Sequence, residues 1–296
     1  MTELDGKARA TARANIALAK YWGKAAVALH LPAVPRISLT LDGLVTRTSV
    51  RFDRRLESDV VELDGRPATA KEAARVVELL DRVRAAAKAS TRAKVVSKNR
   101  FPTAAGLASS ASGFAALAAA ASHAAGLGWG LRKVSSEARR SSASAARSIY
   151  GGFAELPAGK KRANGRWDGF LPAKALHGPD HWDLRLVVAE TVRGPKKVGS
   201  TEGMERSRTT SPYYDAWVAE APIWADALRA ALRRRDLPGV GEAMERSTLA
   251  FHTCAITAHP SILYWQAPTV AVLHAVRELR EARGLGCWAT WTRGRT

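Results

Sequence analysis

The segment SKNRFPTAAGLASSASGFAALAAAA, residues 97–121, constrains the fold more than any other. The short strand read at RAKVVS just before it can go no further than Pro102, which has no N–H to donate to a ladder. Gly106 then permits a tight backbone approach. Ser109 and Ser110 stand where a helix begins, and the alanine-rich run behind them is broken by Ser122, His123 and several glycines. That run reads as a buried helix followed by a loop, not as a membrane span. A helix N-terminus after such a loop offers unpaired N–H groups and the positive end of the helix dipole, which suit phosphate. Serine hydroxyls there can bond phosphate oxygens or Mg²⁺. No Gly-Lys-Ser/Thr follows the glycine, so this is not a Walker A loop. On spacing alone the segment is equally a capped helix.

The rest of the chain mixes both element types. TRTSVRF alternates Thr48, Val50 and Phe52 with Arg47, Ser49 and Arg51, the pattern of a half-buried strand. DVVELDGRP reads as a strand running into an Asp64-Gly65 turn. Helical periodicity covers KEAARVVELLDRVRAAAKA and residues 109–125, 135–147, 213–233, 239–252 and about 268–283, whereas LRLVVAET (184–191) reads as a buried strand. Without a regular βαβ period, this order predicts an α+β fold. The Pro/Gly-containing LPAKALHGPDHW is the best place for a boundary, giving units 1–184 and 185–296.

Composition closes off several functions. The apolar fraction of 46% and charged fraction of 25% are those of a globular chain. The N-terminus MTELDGKARA has no apolar run and is no secretory signal. Two cysteines, Cys254 and Cys287, give no disulfide framework and point to a reducing, cytoplasmic setting. The net charge of +19 comes mostly from arginines spread through alanine-rich helices, with no basic arm and no basic run interleaved with aromatics. Neither a nucleic-acid nor a membrane partner is therefore expected. No His pair has metal-ligand spacing, and there is no G-x-S-x-G or GxGxxG with an acidic partner.

Two further stretches carry charge in a pattern. In NIALAKYWGK, Lys20 and Lys24 flank Tyr21, a grouping that can hold a phosphorylated ligand or simply end a strand. In ARRSSASAARSIYGGFAEL, Ser142 and Ser144 precede Arg147, which can pair a carboxylate bidentately or terminate a helix.

Taken together and in order, NIALAKYWGK, SKNRFPTAAGLASSASG, ARRSSASAARSIYGGF, HWDLRLVVAET and KKVGSTEGM resemble the ATP-dependent diphosphomevalonate decarboxylases of the GHMP kinase superfamily. The resemblance implies a two-domain fold: an N-terminal α+β domain and a C-terminal ferredoxin-like α/β sandwich, incomplete here after about residue 290. It implies phosphorylation of the 3-hydroxyl of (R)-5-diphosphomevalonate with ATP and Mg²⁺, loss of phosphate and CO2, and a homodimer. By the same resemblance Tyr21, Trp22, Gly23 and Lys24 contact the diphosphate, with Lys20 near the reacting hydroxyl. Ser142, Ala143, Ser144, Ala145, Ala146 and Arg147 hold the substrate, Arg147 by its carboxylate. Ser200 and Thr201 add diphosphate ligands, and Arg75 a weaker one. Ser97, Asn99, Gly106, Leu107, Ala108, Ser109 and Ser110 cradle ATP, with Ser110 on the metal.

The departures from the family pattern carry expectations of their own. Ala25-Ala26-Val27 replaces a customary acidic residue. Val34-Pro35-Arg36 replaces an Asn/Ser-rich turn and sets a bulky cation beside the site, and Ser141 and Ala143 replace two glycines. After the last helix the family carries Thr-x-Asp-Ala-Gly-Pro, whose aspartate acts on the 3-hydroxyl, but here Trp291-Thr292-Arg293-Gly294-Arg295-Thr296 follows WAT. If the coding DNA should read ATG GAC GCG GGG CCG CAC GTG A, dropping its first base yields all six of those residues and a stop, so a one-base deletion or sequencing error is expected over a genuine basic tail. Slow turnover, an exposed sheet edge and an uncovered apolar core are expected in consequence. The competing readings are a mevalonate 3-kinase, a phosphomevalonate decarboxylase, or a non-catalytic pseudoenzyme. A basic nucleic-acid-binding protein rests on charge alone.

Overall fold

The computed structural model describes residues 3–101, 109–191 and 198–292. Its N-terminal part is organised by one long antiparallel pair, β1 (Lys7–Ala17) against β4 (Arg36–Phe52). Strand β7 (Ala93–Asn99) flanks β4 on one side and β8 (Phe153–Leu156) pairs with it near Arg36–Leu39. The sheet extends through β5 (Val60–Leu63) and β6 (Arg66–Pro67) at one end and β9 (Lys174–His177) at the other. Among the described residues only β5 and β7 run parallel, and the other pairings are antiparallel. A separate hairpin joins β2 (Lys24–Ala26) to β3 (Leu31–Pro32). The Asp64-Gly65 turn has positive φ at both residues (52° and 83°), as a two-residue hairpin requires.

Helices pack on this sheet for reasons visible in their residues. Helix α1 (Ala70–Ala87) starts at a capping box in which Thr69 and Glu72 satisfy each other's backbone N–H. It buries Val76, Leu79, Leu80 and Val83, one stripe at helical spacing. Helix α2 (Ser109–Ala124) buries most of its small side chains, so its backbone lies close to β1 and β4 beside Val50, Phe52 and Val95. Helix α3 (Leu131–Ser141) completes this layer. The helix expected at 135–147 thus stops at Ser141, because Ser142 turns extended (φ −156°, ψ 119°) and a 3-10 turn follows at Arg147–Ile149.

The C-terminal part is helical: α4 (Ser200–Thr210), α5 (Tyr214–Arg234), α6 (Leu237–Ile256) and α7 (Ala267–Arg283). Leu228 and Leu232 of α5 and Val240 of α6 pack on Ile37, Leu39 and Phe153 of the sheet, fastening the two parts together. The buried strand expected at 184–191 is a correction. It is unpaired, and Val187 is 97% exposed, because no neighbouring strand among the described residues gives it an edge. For the same reason no described residue of the C-terminal part forms the sheet of a ferredoxin-like sandwich. Of α7 only Thr269 is buried, which leaves Val272, Leu273, Val276 and Leu279 half-covered. No helix among the described residues is long and apolar enough to cross a membrane.

Candidate active site

The phosphate-loop residues that the structure describes do share a cavity. Ser97 and Asn99 at the end of β7, Ser109 and Ser110 at the start of α2, and Arg75 and Phe114 line a space of about 200 Å³. Two of these are held in place. Asn99 donates through its backbone N and Nδ2 to the Asp64 carboxylate (2.7 and 3.1 Å) and accepts from Thr46 Oγ1 (2.6 Å). Ser97 shares a hydrogen bond with Thr48 (2.8 Å). Gly106, Leu107 and Ala108 lie outside the described residues.

Arg147 occupies the centre of the second cluster. It is fully buried, and its Nε donates to Ser38 Oγ at 2.7 Å while Nη2 donates to Asn15 Oδ1 at 2.9 Å. Its Nη1 is buried with no partner, and no carboxylate pairs with it among the described residues. Desolvation, helped by the neighbouring Arg36, pushes its pKa well below the ordinary arginine value. Ser142 and Ser144 face each other at 3.1 Å, and Asn15 Nδ2 donates to the Ser144 carbonyl and to Ser148 Oγ. Ala145 and Ala146 are fully buried and Ala143 packs beside Leu156 and Ala173, so these three act as packing that shapes the loop.

The third cluster is the segment from Lys20 to Lys24. Lys20 is buried and donates from Nζ to the Ala17 carbonyl (3.0 Å), the same oxygen that accepts from Thr290 Oγ1 (3.3 Å). Thr290 therefore lies beside Lys20. Trp22 is wholly buried against Phe251 and Tyr264, so its backbone is the part left to face the cleft. Gly23 has φ +107°, and a Cβ there would sit 1.9 Å from the Tyr214 hydroxyl, so no other residue fits. Lys24 Nζ reaches Thr201 Oγ1 at 3.3 Å, with Ser200 beside it as the first residue of α4. Partial burial lowers the Lys24 pKa.

Arg75 links these clusters. Its Nη2 donates to the Ser141 carbonyl (2.9 Å) and its guanidinium lies 4.6 Å from the Phe114 ring centre, at the wall between cavity and serine loop. Around it gathers a cationic group that sequence reading missed. His30 has a left-handed backbone (φ 50°), and burial together with Lys24, Arg139, Arg75 and Arg82 lowers its pKa to about 4. Asn15 and Ser38 were also missed. The signal available was a polar residue buried inside the apolar runs of NIALA and ISL.

His30 gives a pH prediction. Above the ordinary value of 6.5 it is neutral in both the folded and unfolded chain and adds no pH dependence. As pH falls below 6.5 only the unfolded chain takes the proton, so stability is lost until the folded group titrates near 4. His30→Asn keeps a residue that tolerates positive φ and removes this slope. Denaturant midpoints of the two proteins are expected to agree at pH 8 and to separate below pH 6.5, the variant being the more resistant.

Fold and site together are those of a two-domain GHMP kinase-like protein, with a helix N-terminus beside a cationic cleft. Residues 12–166 match the diphosphomevalonate decarboxylase-like N-terminal domain, and residues 186–289 the mevalonate 5-diphosphate decarboxylase C-terminal domain. The human diphosphomevalonate decarboxylase is 34% identical over 93% of this chain and 71% of its own length. The phosphomevalonate decarboxylase of Haloferax volcanii is 33% identical over 93% and 82% respectively. The mevalonate diphosphate decarboxylase of Enterococcus faecalis superposes with a TM-score of 0.85 at 35% identity, covering 98% of this chain and 86% of that one. A structure called MDDEF, in complex with MVAPP, AMPPCP and magnesium, gives the same TM-score of 0.85 at 36% identity, with the same shares of 98% and 86%. The chain belongs to the diphosphomevalonate decarboxylase family.

Proposed function

We propose that this chain binds MgATP and (R)-5-diphosphomevalonate side by side and converts the latter to isopentenyl diphosphate. In that reaction the 3-hydroxyl is phosphorylated, and phosphate and CO2 are then lost. The observation that carries the reading is Arg147: a wholly buried guanidinium with one nitrogen unpaired and no carboxylate beside it among the described residues fits a site that waits for an anion. Arg147 takes the departing carboxylate, and Ser142 and Ser144 steady the substrate's polar groups. Lys24, Ser200 and Thr201 hold the diphosphate at the other end, with Tyr21 along the path and Lys20 at the hydroxyl. Ser109, Ser110 and the α2 N-terminus receive the triphosphate. The donor set there suits a magnesium–phosphate unit. Ser110 offers a hydroxyl, while Asp64 and Glu72 are already engaged by Asn99 and by Arg66 with Thr69. Bound Mg²⁺ neutralises phosphate charge. The chain's own part is alignment of hydroxyl, phosphoryl group and carboxylate in one cationic pocket.

The nucleotide half belongs to residues 1–184 and the diphosphate clamp closes from residues 185–296. Two free thiols, Cys254 and Cys287, support a reducing, cytoplasmic setting, and the resemblance to the family supports a homodimer. The test is calorimetric titration with diphosphomevalonate and with the magnesium complex of a non-hydrolysable ATP analogue. Ser110→Ala is expected to weaken the nucleotide about tenfold, the worth of one lost charge-assisted hydrogen bond. It should leave diphosphomevalonate binding unchanged. Absence of binding by either ligand to the parent chain would sink the reading.

A further inference from the structure

Strand β4 changes character along its buried face. Phe52 and Val50 are apolar and pack with α2, but the next two inward positions, Thr48 and Thr46, carry hydroxyls and are each 1% exposed. Valine would fill either place with the same shape and no polar group to bury, so the hydroxyls need hydrogen bonds to offset their burial. Both find them across the strand pair. Thr46 lies opposite Asn99 of β7 and bonds it at 2.6 Å, and Thr48 lies opposite Ser97 and bonds it at 2.8 Å. Thr46 makes a second bond, to Ser112 Oγ at 2.6 Å, and Ser112 is wholly buried in the first turn of α2.

Counting protons gives this chain of bonds a direction. Asn99 Nδ2 donates to the Asp64 carboxylate, which leaves Oδ1 as the acceptor from Thr46. The single Thr46 hydroxyl proton is then spent, so Ser112 is the donor to Thr46 Oγ1. From Ser112 to Thr46 to Asn99 to Asp64 every step donates the same way, and the last acceptor is a carboxylate. Bonds in such a series polarise and strengthen one another. Asn99 and the Ser109–Ser110 end of α2 line one cavity, whereas Thr46 is not among the residues that line it.

We propose that Thr46 is a positioning residue for the nucleotide: its hydroxyl joins Asn99 to the first turn of α2 and so sets the spacing of two walls of the nucleotide cavity. This rests on the reading of that cavity as the nucleotide site. Without the hydroxyl, Asn99 Oδ1 and the Ser112 hydroxyl lose their shared partner. Ser112 then has the Ser109 carbonyl, 3.4 Å away, as its remaining acceptor, and Asn99 is held by Asp64 alone. The diphosphomevalonate clusters at Arg147 and Lys24 share none of these bonds.

The experiment titrates the parent chain, Thr46→Val, Thr46→Ser, Ser112→Ala and the Thr46→Val/Ser112→Ala double variant. Each is titrated with the magnesium complex of a non-hydrolysable ATP analogue and with diphosphomevalonate. Thr46→Val is expected to weaken the nucleotide about tenfold and to leave diphosphomevalonate within about twofold of the parent. Thr46→Ser, which keeps the hydroxyl and drops the methyl, should bind both ligands as the parent does. Ser112→Ala cuts the same series from the helix side and should also weaken the nucleotide selectively, which reads the proposal independently if the valine variant does not fold. Adding Ser112→Ala to Thr46→Val should cost nothing further, because the series is already broken. Equal loss of both ligands would make Thr46 a general support of the fold and overturn the proposal. So would unchanged nucleotide binding by Thr46→Val, a serine variant as weak as the valine one, or additive losses in the double variant. A parent chain that does not bind the nucleotide overturns the functional reading of the cavity and this inference with it, whereas a parent that binds it leaves the outcome to Thr46 alone.

Discussion

Replacing Arg147 with methionine is expected to remove diphosphomevalonate binding while leaving the fold about as stable as before. The guanidinium is fully buried, has no carboxylate partner among the described residues and leaves Nη1 unpaired, so its desolvation is uncompensated. A methionine of similar length removes that cost, and replacing buried ionic groups by apolar ones is often neutral or stabilising by about 1–4 kcal/mol. Against this, Ser38 and Asn15 each lose a hydrogen bond, worth about 1 kcal/mol apiece. Asn15 keeps its bonds to Ser144 and Ser148, so the serine loop stays anchored. The ligand fares differently, since truncating one partner of a buried charge pair costs about 2–5 kcal/mol, roughly 30- to several-thousand-fold in affinity. Denaturation and calorimetry on one preparation check both halves. An unfolded variant, or one that binds within threefold of the parent, contradicts the role assigned to Arg147.

The second large effect concerns residues 291–296. With Trp291-Thr292-Arg293-Gly294-Arg295-Thr296 in place, decarboxylation is expected to be slow. Exchanging the six for Met-Asp-Ala-Gly-Pro-His should raise turnover about 10²- to 10⁴-fold, the usual worth of one acid–base group. The geometry favours this because Thr290 and Lys20 donate to the same Ala17 carbonyl, so an aspartate two residues on enters the neighbourhood of Lys20, the residue proposed to meet the hydroxyl. The exchange also removes Trp291, which is buried and stacks 5.7 Å from His252, so some stability is lost. ADP and CO2 release by mass-verified protein decides the matter. Equal rates would mean that residues 291–296 do not limit the reaction.

Local signals were legible where neighbours in sequence decide the outcome. The Thr48, Val50 and Phe52 alternation, the Asp64-Gly65 turn and the apolar stripe of α1 all form as their spacing predicts. Outcomes that depend on distant partners were not legible. A buried strand at 184–191 needs a paired neighbour, which composition cannot supply. The bonds that hold Arg147 come from Asn15 and Ser38, more than a hundred residues away, and the one local mark of that duty is a polar residue set inside an apolar run. Family motifs pointed to Lys24, Thr201, Ser110 and Arg147. They did not disclose that Arg75 ties cavity to serine loop, or that His30 sits among four cations.

Gly23 leaves room for one hydroxyl and nothing more, and the Trp22 carbonyl accepts from Trp217 Nε1 at 2.7 Å. Both contacts are made by α5, so the short segment ending in Lys24 is keyed into the opposite half of the molecule like a tenon. A tilt of that helix is transmitted directly to the Lys24 ammonium group, so the position of that cation cannot be changed without also altering how the two halves seat.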